Sequence, residues 1–228
     1  MPDYQYILFD HDGVLVDTEP LYFRATRKKM QELGVDLSQT EYLALQATGT
    51  AAWTAAAAAG VDAERIAAKK TERNALYQRY LRTADISIAG VPQVLEQLKA
   101  YCQLAIVTTA KQEDFNLIHY GEPTLSSASR DRRGIVSLVE LVLTNQDYPR
   151  GKPHPDPYLH ALDCLGADAS NTLVVEDSAR GLRAARAAGI DCAVVYHPFT
   201  ADQDFTHATY QLKRLDELPG LLVKARTE

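Results

Sequence analysis

The chain has 228 residues, 46% of them hydrophobic, and a formal charge of −6. That length suits one α/β domain with a small insert, and the acidic balance argues against a nucleic-acid or anionic-membrane surface. Cys102, Cys164 and Cys192 are an odd count without CxxC spacing, which argues against a disulfide framework or a zinc site.

Cys102 and Cys192 lie in or beside apolar runs and read as buried thiols, which fit a reducing cytosol. No signal peptide or spanning run is visible, so a cytoplasmic location is expected.

Residues 6–9 are an apolar run of strand length that ends on Asp10-His11-Asp12-Gly13. Side chains two apart on a strand share a face, so Asp10 and Asp12 are expected to project together beyond its tip. Two close carboxylates repel, and such a pair binds a cation or holds one proton between its members. His11 is expected to point away from both and to be structural. Thr18 is placed to cap a helix that Pro20 starts and Gly34 stops. Residues 39–82 are rich in Ala, Gln, Glu, Lys and Arg, with no strand-like alternation. Residues 18–84 therefore read as an all-helical insert.

Beyond Gly90 the pattern alternates. Val94, Leu95 and Leu98 mark a short amphipathic helix, and residues 104–107 a second strand ending on Thr108 and Thr109. Residues 111–120 read as a helix stopped by Gly121, and residues 122–134, with Arg130, Arg132 and Arg133, as an exposed loop. Residues 141–143 make a third strand. Lys152 sits in a loop stiffened by Pro153, Pro155 and Pro157, with Asp156 expected to cap the helix that follows. Residues 172–175 form a fourth strand ending on Glu176, Asp177 and Ser178. A helix over residues 179–188 and a fifth strand over 192–195 follow. This alternation implies a parallel sheet with helices on both faces. Ligands of such sheets gather at the carboxyl ends of the strands, where Asp10, Thr108, Lys152, Glu176 and Asp177 all fall.

Taken in order, Asp10-His11-Asp12-Gly13, Thr108, Lys152 and Glu176-Asp177-Ser178 resemble motifs I to IV of the haloacid dehalogenase superfamily in its phosphatase-like form. The resemblance covers almost the whole chain. It implies a doubly wound, Rossmann-like α/β core from residues 1–17 and 85–228, with a small helical cap over residues 18–84. It implies a Mg²⁺-dependent phosphatase acting on a small phosphorylated metabolite, with a lean toward sugar phosphates. Asp10 would be the nucleophile that forms an aspartyl-phosphate, and Asp12 the general acid and base. Thr108 would donate to the phosphoryl group, with Thr109 its nearest rival, and Lys152 would supply positive charge. The implied metal ligands are the Asp10 carboxylate, the Asp12 main-chain carbonyl and Asp177, with Glu176 direct or nearby. A monomer or weak homodimer is expected.

Two other functions fit the same motifs. One is a phosphomutase like β-phosphoglucomutase; the other is a non-catalytic phosphate-binding protein. Mutases that resemble this chain carry a histidine where Tyr22 stands, and no histidine occurs between Asp12 and Ile118. No motif position has lost its catalytic residue type, which favours an enzyme. Within the cap, Thr50 and Trp53 are the substrate-facing candidates, with Thr48 and Thr54 beside them. No Lys or Arg lies between Lys29 and Arg65, so a neutral, hydroxylated leaving group is expected there.

Overall fold

The computed structural model describes residues 3–121 and 134–227; the loop bearing Arg130, Arg132 and Arg133 lies outside them. Its strands are β1 (Tyr6–Phe9), β2 (Gln103–Val107), β3 (Leu141–Leu143), β4 (Thr172–Glu176), β5 (Asp191–Val195) and β6 (Tyr210–Leu212). They form one sheet in the order β3-β2-β1-β4-β5-β6, every pair parallel. Alternate residues of each strand face opposite sides. Ile7, Phe9, Leu104, Ile106, Leu173 and Val175 accordingly enter one core, and Leu8, Ala105, Val107 and Val174 the other. Both faces being covered, the strands are apolar throughout rather than alternating. The sixth strand was not expected; at three residues it is too short to show a period.

The helices are α1 (Glu19–Gln31), α2 (Gln39–Thr48), α3 (Thr54–Ala58), α4 (Ala63–Thr83), α5 (Val91–Lys99), α6 (Gln112–Tyr120), α7 (Asp156–Leu165), α8 (Ala179–Ala187) and α9 (Leu218–Thr227). Helices α1 to α4 share a core of their own, built on Phe23, Met30, Tyr42, Trp53 and Ile66. Ser38 and Glu41 close a capping box at the start of α2, and Asp62 caps α4. The two chain crossings into this block run side by side, with the Asp17 amide donating to Ile86 O at 2.9 Å. Arg183 on α8 reaches Ala47 O on α2 at 2.7 Å.

Two expected caps are spent elsewhere. Thr18 flanks α1 but makes no side-chain cap; its hydroxyl donates to Asp12 Oδ1 instead. Asp156 is already inside α7, behind Pro155, and its carboxylate takes two bonds from Arg150 at 2.8 and 2.9 Å.

Candidate active site

The Asp10 amide makes the last rung to β4, donating to Val175 O at 2.8 Å. The chain then turns through Gly13 at a φ of 85°, and a Cβ on Gly13 would lie 2.3 Å from Asp177 Oδ2. Only glycine lets the first loop close onto Asp177. Gly181 serves Glu176 in the same way, since a Cβ there would lie 1.8 Å from Glu176 Oε1.

Lys152 stands between two of the acids. Its Nζ donates to Asp10 Oδ1 at 2.8 Å, Glu176 Oε1 at 2.7 Å and Val107 O at 2.9 Å. An ammonium has three donors, so all are engaged within the protein. Lys152 therefore acts on a neighbouring anion by charge rather than by a further bond. Burial works against its proton, but Asp10 and Glu176 outweigh it and hold the ammonium above the usual lysine range. Glu176 is saturated too: Oε1 also accepts from Tyr158 at 2.7 Å, and Oε2 from Ser178 Oγ at 3.0 Å. Despite burial, the Lys152 charge keeps Glu176 ionised below the usual carboxylate range.

The other acids feel the surplus of negative charge. Burial, then Glu176, pushes Asp10 up to about 6. Burial, Glu176 and Asp10 together raise Asp177 well above its ordinary value. Asp10, Glu176 and Asp177 each place a carboxylate oxygen within 4.8 Å of the others. A set of hard oxygen donors with more negative charge than Lys152 offsets fits Mg²⁺.

Asp12 differs from its neighbours. Burial opposes its charge, yet His11, Thr18 and Thr108 overcome that and hold it at about 2. Thr108 Oγ1 donates to Asp12 Oδ2 at 3.2 Å and accepts from the Ala110 amide at 3.0 Å. His11 does not turn away as expected: its Nδ1 lies 3.4 Å from Asp12 Oδ2, and its Nε2 lies 2.8 Å from His119 Nε2.

A cavity of about 450 Å³ opens from Asp12 between the sheet edge and the helical block. Thr109 and Trp53 line it. Thr50 does not: its hydroxyl is paired with that of Thr48 at 2.9 Å. The expectation of a wall without cations fails, because Arg73 and Lys70 of α4 enter it, with Arg180 and Lys111 from the other side. Arg73 is buried, its partners are Asn74 and Thr26, and its guanidinium lies 4.1 Å from the Tyr22 ring centre. Arg180 donates to Thr109 Oγ1 at 3.2 Å. Glu19 also faces the cavity; burial raises it to about 7, with Arg180 opposing and Asp12 and Asp10 adding to the rise. Of these, Arg180 had a visible signal, three residues past Asp177 in the first turn of α8.

A family model described as haloacid dehalogenase-like hydrolase matches residues 7–195. Protein CbbY of Rhodobacter capsulatus is 27% identical over 218 residues, 92% of either chain. Validoxylamine A 7'-phosphate phosphatase of Streptomyces hygroscopicus subsp. limoneus is 28% identical, over 83% of this chain and 84% of its own. A crystal structure of a CbbY mutant from Rhodobacter sphaeroides, in complex with xylulose-(1,5)bisphosphate, superposes with a TM-score of 0.73 at 26% identity, covering 96% of both chains.

Proposed function

The chain belongs to the haloacid dehalogenase-like hydrolase family, and on that premise we propose a Mg²⁺-dependent phosphatase that cleaves a small phosphorylated metabolite through an aspartyl-phosphate on Asp10. The observation that carries this reading is the Asp10 carboxylate held 2.8 Å from Lys152, with Asp12 at the floor of a ligand-sized cavity. Residues 18–84 are the cap and residues 1–17 and 85–228 the core.

An Asp10 oxygen bonds to phosphorus as the bond from phosphorus to the leaving oxygen breaks, and Asp12 gives that oxygen its proton. Asp12 is ionised in the free protein; an incoming phosphoryl group brings negative charge beside it and raises its proton affinity. In the second half Asp12 takes a proton from the water that attacks phosphorus, which frees Asp10 and phosphate. Lys152 offsets charge at Asp10 throughout. When bound, Mg²⁺ would be held by Asp10, Asp177 and the Asp12 carbonyl, with Glu176 alongside, and would neutralise phosphoryl oxygens and orient them. Glu176 is committed to Lys152, Tyr158 and Ser178, which favours Asp177 over it as the direct ligand.

Arg73 refines the substrate. Its partners are neutral, and a buried cation gains most from an anion that a ligand brings. A sugar phosphate with a second anionic group fits this cavity better than a neutral sugar ester. The CbbY complex with a bisphosphate supports the same choice. Tyr22, where the mutases carry histidine, packs edge-on to Tyr77 and beneath Arg73, which favours hydrolysis over mutase chemistry. The test is phosphate release from a panel of sugar mono- and bisphosphates, phosphoglycolate and p-nitrophenyl phosphate, with Mg²⁺ and with EDTA. Release that needs Mg²⁺ supports the reading; none on any member with Mg²⁺ present contradicts it.

A further inference from the structure

His11 and His119 are both fully buried, 108 residues apart in sequence and joined through their Nε2 atoms at 2.8 Å. Phe115 lies against both rings, at centroid distances of 5.0 and 4.5 Å. The far nitrogen of His11, Nδ1, lies 3.4 Å from Asp12 Oδ2. The mechanism above uses neither ring.

We propose that His119 is a positioning residue that acts on Asp12 through His11. This rests on Asp12 being the acid–base group. A hydrogen bond between two Nε2 atoms needs one proton and one lone pair. Were His11 to keep its only proton on Nε2, a bare Nδ1 lone pair would face the Asp12 carboxylate. Every arrangement that makes both contacts hydrogen bonds therefore carries a proton on His11 Nδ1, directed at Asp12. One ring nitrogen is set by what the other bonds, so His119 locks the orientation and proton placement of His11. His11 and Thr108 then hold Asp12 Oδ2, while Thr18 holds Oδ1. A carboxylate pinned on both oxygens is held in one orientation, so that once the bound phosphoryl group has raised its proton affinity the proton it takes up is aimed at the leaving oxygen. Pinning matters most when that oxygen leaves poorly, as from an alkyl phosphate, and least for a good leaving group such as p-nitrophenolate.

Two measurements test this. The first is long-range ¹H–¹⁵N correlation on the unmodified protein labelled in its six histidines, which reads each ring's protonated nitrogen. His11 is expected to carry a proton on Nδ1; a bare Nδ1 overturns the proposal, whatever any variant does. The second compares kcat/KM for the best-cleaved sugar phosphate of the panel above and p-nitrophenyl phosphate in wild type, His119→Leu and His119→Gln. The leucine variant is expected to lose at least about tenfold on the alkyl ester and less than about twofold on the aryl ester, and glutamine, which keeps an N–H, to recover the alkyl rate. Equal losses on both esters in a folded variant, or no loss on either, overturn the proposal. If wild type releases phosphate from no member of the panel above with Mg²⁺ present, the phosphatase reading fails, while the nitrogen assignment stands or falls separately.

Discussion

Lys152 Nζ and Glu176 Oε1 lie 2.7 Å apart, with their side chains 1% and 0% exposed. Glu176 thus fixes the cation that serves Asp10. Removing one partner of a buried pair leaves an uncompensated charge, at a cost of about 3–5 kcal/mol. Lys152→Met should therefore lower unfolding free energy by that order and abolish phosphate release, as denaturant titration and a release assay will check. A variant as stable as wild type would mean that the pair does not hold the site.

Gly181→Ala should damage the site without replacing any candidate catalytic or metal-binding residue. The added methyl would fall 1.8 Å from Glu176 Oε1, so the carboxylate must leave Lys152 or α8 must shift. A loss of at least about 2 kcal/mol in stability is expected for such overpacking. Activity should fall with it. Wild-type behaviour in thermal unfolding and turnover would show that Glu176 is not packed on the first turn of α8.

Metal-free stability should fall as the pH rises from about 5 to 7, where unfolded carboxylates are already ionised. Over that range the folded state still holds protons on Asp10, at about 6, and Glu19, at about 7. It therefore binds more protons than the unfolded chain, and stability declines with pH. Asp12, at about 2, and Glu176, held low, have the opposite sign but act only below the ordinary carboxylate range. Mg²⁺ favours the ionised acids, so the Tm gained on adding it to EDTA-treated protein should be larger at the upper end of the range. An equal or smaller gain there would contradict the proposed ligand set.

Arg73→Ala should separate the two ends of the substrate. Loss of a charge-assisted bond to a distal anion should lower kcat/KM for a preferred bisphosphate by at least about tenfold, or about 1.4 kcal/mol. The change on p-nitrophenyl phosphate should stay within about twofold. Equal losses on both would assign Arg73 to the packing of α4 against Tyr22 rather than to substrate.

The sheet edge was legible because Asp10, Thr108 and Asp177 each stand just past a short apolar run, and Gly13 marked the turn that Asp177 requires. What was not legible depends on contacts distant in sequence. Thr18 has the composition of a helix cap, but the stronger acceptor, Asp12, takes its hydroxyl. His119 meets His11 only because α6 packs beside the first loop. Helix α4 carries six basic residues from Arg65 to Arg82, and only packing decides that Arg73 is the buried one. The residues between Lys29 and Arg65 predict a neutral leaving group, whereas the cations reach the cavity from the next helix and from Lys111 and Arg180 on the far side.

The covalent intermediate is the centre of this account, and it can be trapped directly. Wild-type protein with Mg²⁺ and a turned-over substrate is quenched in acid within one turnover, reduced with borohydride, digested and read by mass spectrometry. An aspartyl-phosphate is reduced to homoserine, so position 10 should convert in wild type and not in Asp10→Asn, which should also be inactive while remaining folded. Full turnover with position 10 unmodified, or an active Asp10→Asn variant, would contradict the account.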